Sequence, residues 1–208
     1  MKRIGWCCLM VSLLVSLLAS LLGCGGEMDG PSMYVEPARL TEEEERVAAL
    51  LGLNTEYHIF DFVLDDRVRS LQIHMYELLD GEWEQVLGGG QAFRDTEGRL
   101  ALGFGRIADG VRVAVQSETA GGAVSYTPEV KADLDGIGCA TSCLKGRTEM
   151  IYEQEIPLVV QIITADSQVR SGLLEAFESP EEYAEYEAAY AITVRFSAQT
   201  VPELPSDD

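Results

Sequence analysis

Apolar residues recur at every second position in four separate stretches of this chain, and that period decides the class of fold. Leu71, Ile73 and Met75 alternate with Gln72, His74 and Tyr76. Leu100, Leu102 and Phe104 lie two apart, as do Val111, Val113 and Val115. Ile192, Val194 and Phe196 alternate with Thr193, Arg195 and Ser197. Successive side chains of an extended chain point to opposite faces, so this alternation gathers the apolar groups on one face of a half-buried strand. Leu158 to Ile163 is apolar more continuously, which predicts a central strand covered on both faces. Asp80-Gly81 and Asp109-Gly110 fit two-residue hairpin turns, whose central positions need positive φ. Gly88-Gly89-Gly90 and Gly121-Gly122 read as looser connections. Short strands spaced about 10 residues apart predict an antiparallel β-sandwich of about eight strands between Tyr57 and Val201.

Two helices punctuate the strands. Thr41 and Glu44 fit a capping box, and Glu42 to Glu45 suit the positive end of a helix. Val47, Leu50 and Leu51 share one helical face and Gly52 suits the C-cap, so residues 41–52 predict a short helix docked by that face. Near residues 180–190 a second helix is predicted. Ser179 is its N-cap, Pro180 its first residue, and Glu182 completes a second capping box. Tyr183, Tyr186 and Tyr190 then fall on one helical face, which either packs on the sheet or, with Trp83, offers an aromatic platform to a ligand.

The beginning of the chain obeys another logic. Lys2 and Arg3 precede an uncharged stretch from Ile4 to Gly23 rich in Leu, Val, Ala and Ser, the layout of a secretory signal. Positive residues stay on the cytoplasmic side, so the rest of the chain is expected to be translocated. Leu21-Leu22-Gly23-Cys24 closes that stretch and resembles the lipobox of bacterial lipoproteins, with Leu22 where Ala, Ser or Thr is commoner. The resemblance implies that Cys24 carries a diacylglycerol, that residues 1–23 are removed with Trp6, Cys7 and Cys8, and that the protein is anchored on the extracytoplasmic face of a membrane, at the cell surface or in a periplasm. An uncleaved membrane-spanning helix is the other reading of the same stretch. Residues 24–40, with Gly25, Gly26, Gly30, Pro31 and Pro37 and no apolar period, read as a flexible tether. Residues 53–208 are then a single β-sandwich domain. Its pattern resembles the uncharacterised β-rich lipoproteins of Gram-positive bacteria, a resemblance that implies no activity.

Charge excludes some partners. The chain carries 15 Lys and Arg against 35 Asp and Glu, a net −20; losing Lys2 and Arg3 would leave 13 against 35, or −22. Such a surface stays soluble and repels polyanions, so nucleic acid is not an expected partner. A membrane is expected to be reached through the lipid on Cys24 alone, since two acyl chains anchor a protein without help from the folded domain.

The chemistry-bearing residues are few. His58 and His74 both fall in strands, without the short His-x-His or His-Glu-x-x-His spacings of zinc sites, and are expected to be surface or edge side chains; no metal or cofactor is expected. Cys139 and Cys143 are spaced Cys-x-x-x-Cys, and outside a reducing cytoplasm a disulfide between them is expected ahead of free thiols or of a metal or redox pair. Asp133-Leu134-Asp135-Gly136 is a fragment of a calcium loop without its closing Glu. No Gly-x-Ser-x-Gly elbow is present.

These readings favour a lipid-anchored, non-enzymatic binding or accessory module for an unknown ligand, with a glycan or a protein as partner. A carboxylate-based envelope hydrolase and a calcium-stabilised structural module are the alternatives. A deep cleft with two close carboxylates of raised pKa would mark the hydrolase. A shallow face lined by Trp83 and tyrosines would mark a glycan binder.

Overall fold

The computed structural model describes residues 33–50, 57–129, 134, 136–166, 169 and 173–204. The export segment 1–23, Cys24, most of the tether, Leu51, Gly52, Asp133 and Asp135 lie outside those residues. The strands are β1 Tyr34–Pro37, β2 Tyr57–Val63, β3 Ser70–Leu79, β4 Glu82–Ala92, β5 Glu97–Gly103, β6 Val111–Ser117, β7 Gly121–Tyr126, β8 Gly138–Cys143, β9 Thr148–Glu149, β10 Ile156–Thr164 and β11 Ala188–Ser197; helix α1 is Glu42–Leu50. They form an antiparallel sandwich. One sheet has six strands in the order β7-β6-β5-β2-β1-β9 and the other has five in the order β4-β3-β11-β10-β8.

The period-two residues meet between the sheets. Phe60, Phe62, Leu100, Leu102, Val111, Val113 and Val115 face Leu71, Ile73, Met75, Ile192, Val194 and Phe196 in one buried core. Phe62 and Phe196 touch across it with ring centroids 5.2 Å apart. Each such side chain contributes roughly 1.5–3 kcal/mol by leaving water. β10 lies inside its sheet, and its apolar residues divide between two cores. Leu158, Val159 and Ile163 join the inter-sheet core, while Val160 and Ile162 join a second core on the outer face of the five-stranded sheet. That is why its sequence lacks the two-residue period.

Several sequence expectations are corrected. The β-sandwich is as expected, and among the described residues it has eleven strands, ten of them between Tyr57 and Val201 where the spacing predicts about eight. Tyr34–Pro37, read as tether, pairs with β2 and β9 as β1, and Val35 is fully buried; one apolar residue suffices in so short a strand, too few to show a period. Asp80-Gly81 is the expected tight turn, with φ of 52° and 85°. Asp109-Gly110 is not; a 3-10 turn over Ile107–Asp109 links β5 to β6, with only Gly110 at positive φ. Gly88-Gly89-Gly90 lies inside β4. A Cβ on Gly89 would sit 2.5 Å from the Tyr126 hydroxyl, so glycine there permits close approach and not a turn. Gly121 and Gly122 begin β7. The preceding turn is fixed by the Asp95 carboxylate, which accepts from the Ser117 and Thr119 hydroxyls.

The second helix is corrected too. Only a 3-10 turn, Pro180–Tyr183, is formed, and Ser179 makes no side-chain cap. Tyr190 belongs to β11. The Ala- and Glu-rich run before it favours helix locally, but pairing with Gln161 on one side and Glu77 on the other draws it into the sheet. The first helix forms with its capping box: the Thr41 N–H donates to Glu44 Oε2 at 2.7 Å and the Glu44 N–H to Thr41 Oγ1 at 3.3 Å. It does not dock as expected. None of its residues is buried, and Val47 and Leu50 are 52% and 85% exposed.

Candidate functional site: a cleft beneath helix α1

The outer face of the six-stranded sheet is set by the residues that alternate with the core. Ile59, Asp61, Arg99, Ala101, Ala114 and Gln116 point away from Phe60, Leu100 and Val115. Asp61 and Arg99 are register partners on β2 and β5, and Arg99 Nε donates to Asp61 Oδ1 at 2.7 Å. The same guanidinium reaches up to α1, donating through Nη1 to Glu44 Oε1 at 2.8 Å. Glu44 also accepts from Thr41, and these bonds hold its carboxyl down at about 2. This ionic clamp suspends the helix by its first turn over the sheet.

Between helix and sheet lies a cleft of about 400 Å³ lined by Leu40, Val47, Ala48, Ile59, Ala101, Ala114 and Val115, with Glu43, Glu44, Arg99 and Gln116 as its polar members. Beside it, sharing Leu40, Ala48 and Ile59, a bay of about 310 Å³ is lined by Pro37, Ala38, Tyr57, His58, Phe60, Cys143 and Leu144. Both lie within the size range of small-molecule sites, ~300–1,000 Å³, and both are mainly apolar. A third space, between the sheets beside Tyr126, is about 10 Å³. It holds one water at most and is a packing gap.

The bay joins the two sheets. His58 is on β2 and Cys143 on β8, and Cys143 Sγ lies 3.2 Å from His58 Nδ1 and 3.9 Å from Nε2. The His58 ring also packs on Phe104, centroids 5.1 Å apart. Burial pushes the Cys143 thiol up to about 11 and the His58 imidazole down, so both are neutral at pH 7. The expected Cys139–Cys143 disulfide is overturned. Both thiols are free, and both residues stand on β8. Four residues along a strand separate Cα atoms by roughly 13 Å, against the ~5.5 Å a bridge needs.

The other residues singled out by sequence lie elsewhere. His74 is no surface or edge residue: it is 3% exposed on β3, an interior strand. Its Nδ1 is 2.7 Å from Glu155 Oε1, while its Nε2 has no partner among the described residues. Glu155 also accepts from the Thr193 hydroxyl. Trp83 is half-buried, donates through Nε1 to the Phe177 carbonyl at 3.0 Å, and packs on Phe177 and Tyr183. Tyr183 and Tyr190 are each 1% exposed, and their hydroxyls donate to the Leu173 carbonyl and to Glu77 Oε1. Tyr186 is half-buried against the same second core. The tyrosine stripe is therefore not one helical face, and two of its members have no surface to offer a ligand.

Sequence reasoning missed both histidine partnerships. They join residues 85 and 81 positions apart, and no local pattern could carry them. The mark of the hydrolase is not found in the cleft, where Glu44 is lowered and not raised. Among the described residues no three His, Cys, Asp or Glu side chains are grouped to hold a metal, and no helix is long and apolar enough to cross a membrane. Comparison with known proteins returned no matching family model, no matching curated relative and no matching solved structure.

Proposed function

We propose that this chain is a lipid-anchored, extracytoplasmic binding module that holds a small apolar ligand in the cleft between α1 and the six-stranded sheet. One observation carries the ligand reading: apolar side chains face each other across about 400 Å³, and the helix above buries none of its own residues. A surface helix ordinarily closes its apolar face on the sheet below. Here Ile59, Ala101 and Ala114 stay apart from Val47, so an apolar ligand between them removes both surfaces from water at ~25 cal/mol per Å². The polar members of the lining fix a head group. The anchor rests on Leu21-Leu22-Gly23-Cys24 at the end of an uncharged stretch behind Lys2 and Arg3.

Titration with Nile red, a neutral apolar dye that the acidic surface does not repel, tests the cleft. Saturable one-to-one binding is expected, weakened more than tenfold in Ala101→Trp, whose indole fills the cleft from its floor, with the thermal melt unchanged. Equal binding by variant and wild type would refute this site. Labelling with radioactive palmitate tests the anchor: label lost in Cys24→Ala is expected, and label that persists would refute lipidation at Cys24.

A further inference from the structure

The bay that adjoins the cleft carries a pair of ligand-forming side chains that the apolar reading does not use. Cys143 comes from the five-stranded sheet and His58 from the six-stranded one, with Sγ and Nδ1 3.2 Å apart at the wall of about 310 Å³ of space. We propose that Cys143 and His58 form a two-ligand site for a soft monovalent cation, cuprous copper as the representative.

The donor set selects that class. Thiolate sulfur and imidazole nitrogen suit soft and borderline ions, whereas hard cations want oxygen. Among the described residues no charged side chain lines the bay, although Lys145 is close enough for its charge to act on Cys143. A structural zinc needs four ligands, and among the described residues no third His, Cys, Asp or Glu is grouped with these two. Cuprous copper is satisfied by two ligands in a line. Charge points the same way. As the sulfur–metal bond forms, the thiol proton leaves to solvent, and the neutral imidazole gives a nitrogen lone pair. One negative sulfur and one positive ion cancel, so the site stays as neutral as the thiol–imidazole pair it replaces. A divalent ion would leave a net charge in an apolar wall, where desolvation opposes it.

The geometry asks for a small adjustment. Two metal–ligand bonds of roughly 2.0–2.3 Å laid end to end span about 4 Å, so sulfur and nitrogen must part by about 1 Å with a turn of the imidazole. The bay leaves room for that turn. Acyl transfer is a poorer use of the pair. The Leu144 N–H, the nearest following amide, already donates to the Leu158 carbonyl at 2.8 Å and cannot stabilise an oxyanion.

The test is an anaerobic titration of the full chain with cuprous copper against bicinchoninate. The cysteines outside the pair are the same in wild type, Cys143→Ser and His58→Gln, so differences in stoichiometry among these three report this site. Cys143→Ser and His58→Gln are each expected to lose the same one equivalent, at least a hundredfold in affinity, while Cys139→Ser keeps it. Copper is also expected to raise the melting temperature of wild type but not of Cys143→Ser, a comparison that requires only that the serine variant fold. The site is refuted if Cys143→Ser keeps the full stoichiometry, or if His58→Gln keeps the equivalent that Cys143→Ser loses. Ala101→Trp, which blocks the neighbouring cleft, is expected to keep its copper, so failure of the apolar-ligand reading and failure of this one are told apart.

Discussion

The two sheets share one core but treat their outer faces in opposite ways. On the five-stranded sheet the outer face is filled. Val160, Ile162, Ala189 and Ala191 are covered by Leu173, Leu174 and Tyr183, with Trp83 and Phe177 stacked at the margin. Beyond them a polar network continues the cover. His74 and Thr193 meet Glu155, Arg195 Nε donates to Gln72 Oε1 at 2.9 Å, and the Ser197 hydroxyl donates to Glu153. On the six-stranded sheet the cover of the outer face, among the described residues, is α1, held by Glu44, Arg99 and Asp61, with a cleft beneath. On the proposed reading the contrast separates stability from ligand binding. Elements that must admit a ligand belong to the weakly held part of a protein, and the helix has no buried side chain to hold it.

Tyr183→Ala should be the most damaging change. The ring is 1% exposed, donates to the Leu173 carbonyl and meets Trp83 edge-on at 5.2 Å. Removing so large a buried side chain costs about 3–5 kcal/mol. Chemical denaturation would measure it, and a loss below about 1 kcal/mol would mean that this face is not a core.

Glu155→Ala comes next. It strips a buried imidazole of the one carboxylate bonded to it among the described residues, which costs about 2–3 kcal/mol. The same residue sets an acid limb. Burial by itself would raise the Glu155 pKa, but the bonds from His74 and Thr193 and the charges of His74 and Arg195 outweigh it and hold the carboxyl below its ordinary 4.5. A carboxyl lowered on folding contributes stability above the unfolded value, and loses it as pH falls through the folded one. Stability is therefore expected to fall with pH below 4.5 in wild type, less steeply in Glu155→Gln. Identical acid limbs would take Glu155 out of the network.

Arg99→Met tests the open face and should do less. Partly exposed ion pairs contribute at most about 1 kcal/mol, so the global melt should move by less than that. Amide exchange along α1 should accelerate while β10 keeps its protection. If β10 loosens as well, the clamp supports the sandwich and not merely the helix.

Much of this contrast is written in the sequence, though not the cleft on which the proposed function rests. The inward residues of β3, β5, β6 and β11 were readable because one face meets a core and the other does not. β10 was readable because both faces are covered. The tight turn at Asp80-Gly81 was readable because its backbone needs residues that tolerate positive φ. What failed was local evidence overruled by distant partners. Gly89 reads locally as a loop, but the Tyr126 hydroxyl lies against it in the sheet. Tyr190 reads locally as helical, but β3 and β10 pair on either side of it. A bridge between Cys139 and Cys143 requires the chain between them to turn, and pairing with β10 keeps it extended. The cleft had no sequence mark, because the capping box and apolar stripe of α1 are the same whether the helix closes on the sheet or stands off from it.

Thr41→Ala bears on that last difference with the smallest effect. The substitution removes the Thr41 hydroxyl that accepts from the Glu44 N–H and donates to its carboxylate. Loss of such a cap costs a helix about 1 kcal/mol. In a helix built into a core that energy would appear in the global unfolding. Here no residue of α1 is buried, so the helix can fray while the sandwich stays folded. Exchange of the Glu45 amide, which donates to the Thr41 carbonyl at 2.9 Å, should quicken about fivefold. The denaturant midpoint should not move. Nile red affinity should weaken by no more than that factor, since the helix then spends part of its time away from the cleft it roofs. A midpoint that falls by the full cost of the cap would show that α1 shares the cooperative unit, and that the two outer faces are held alike.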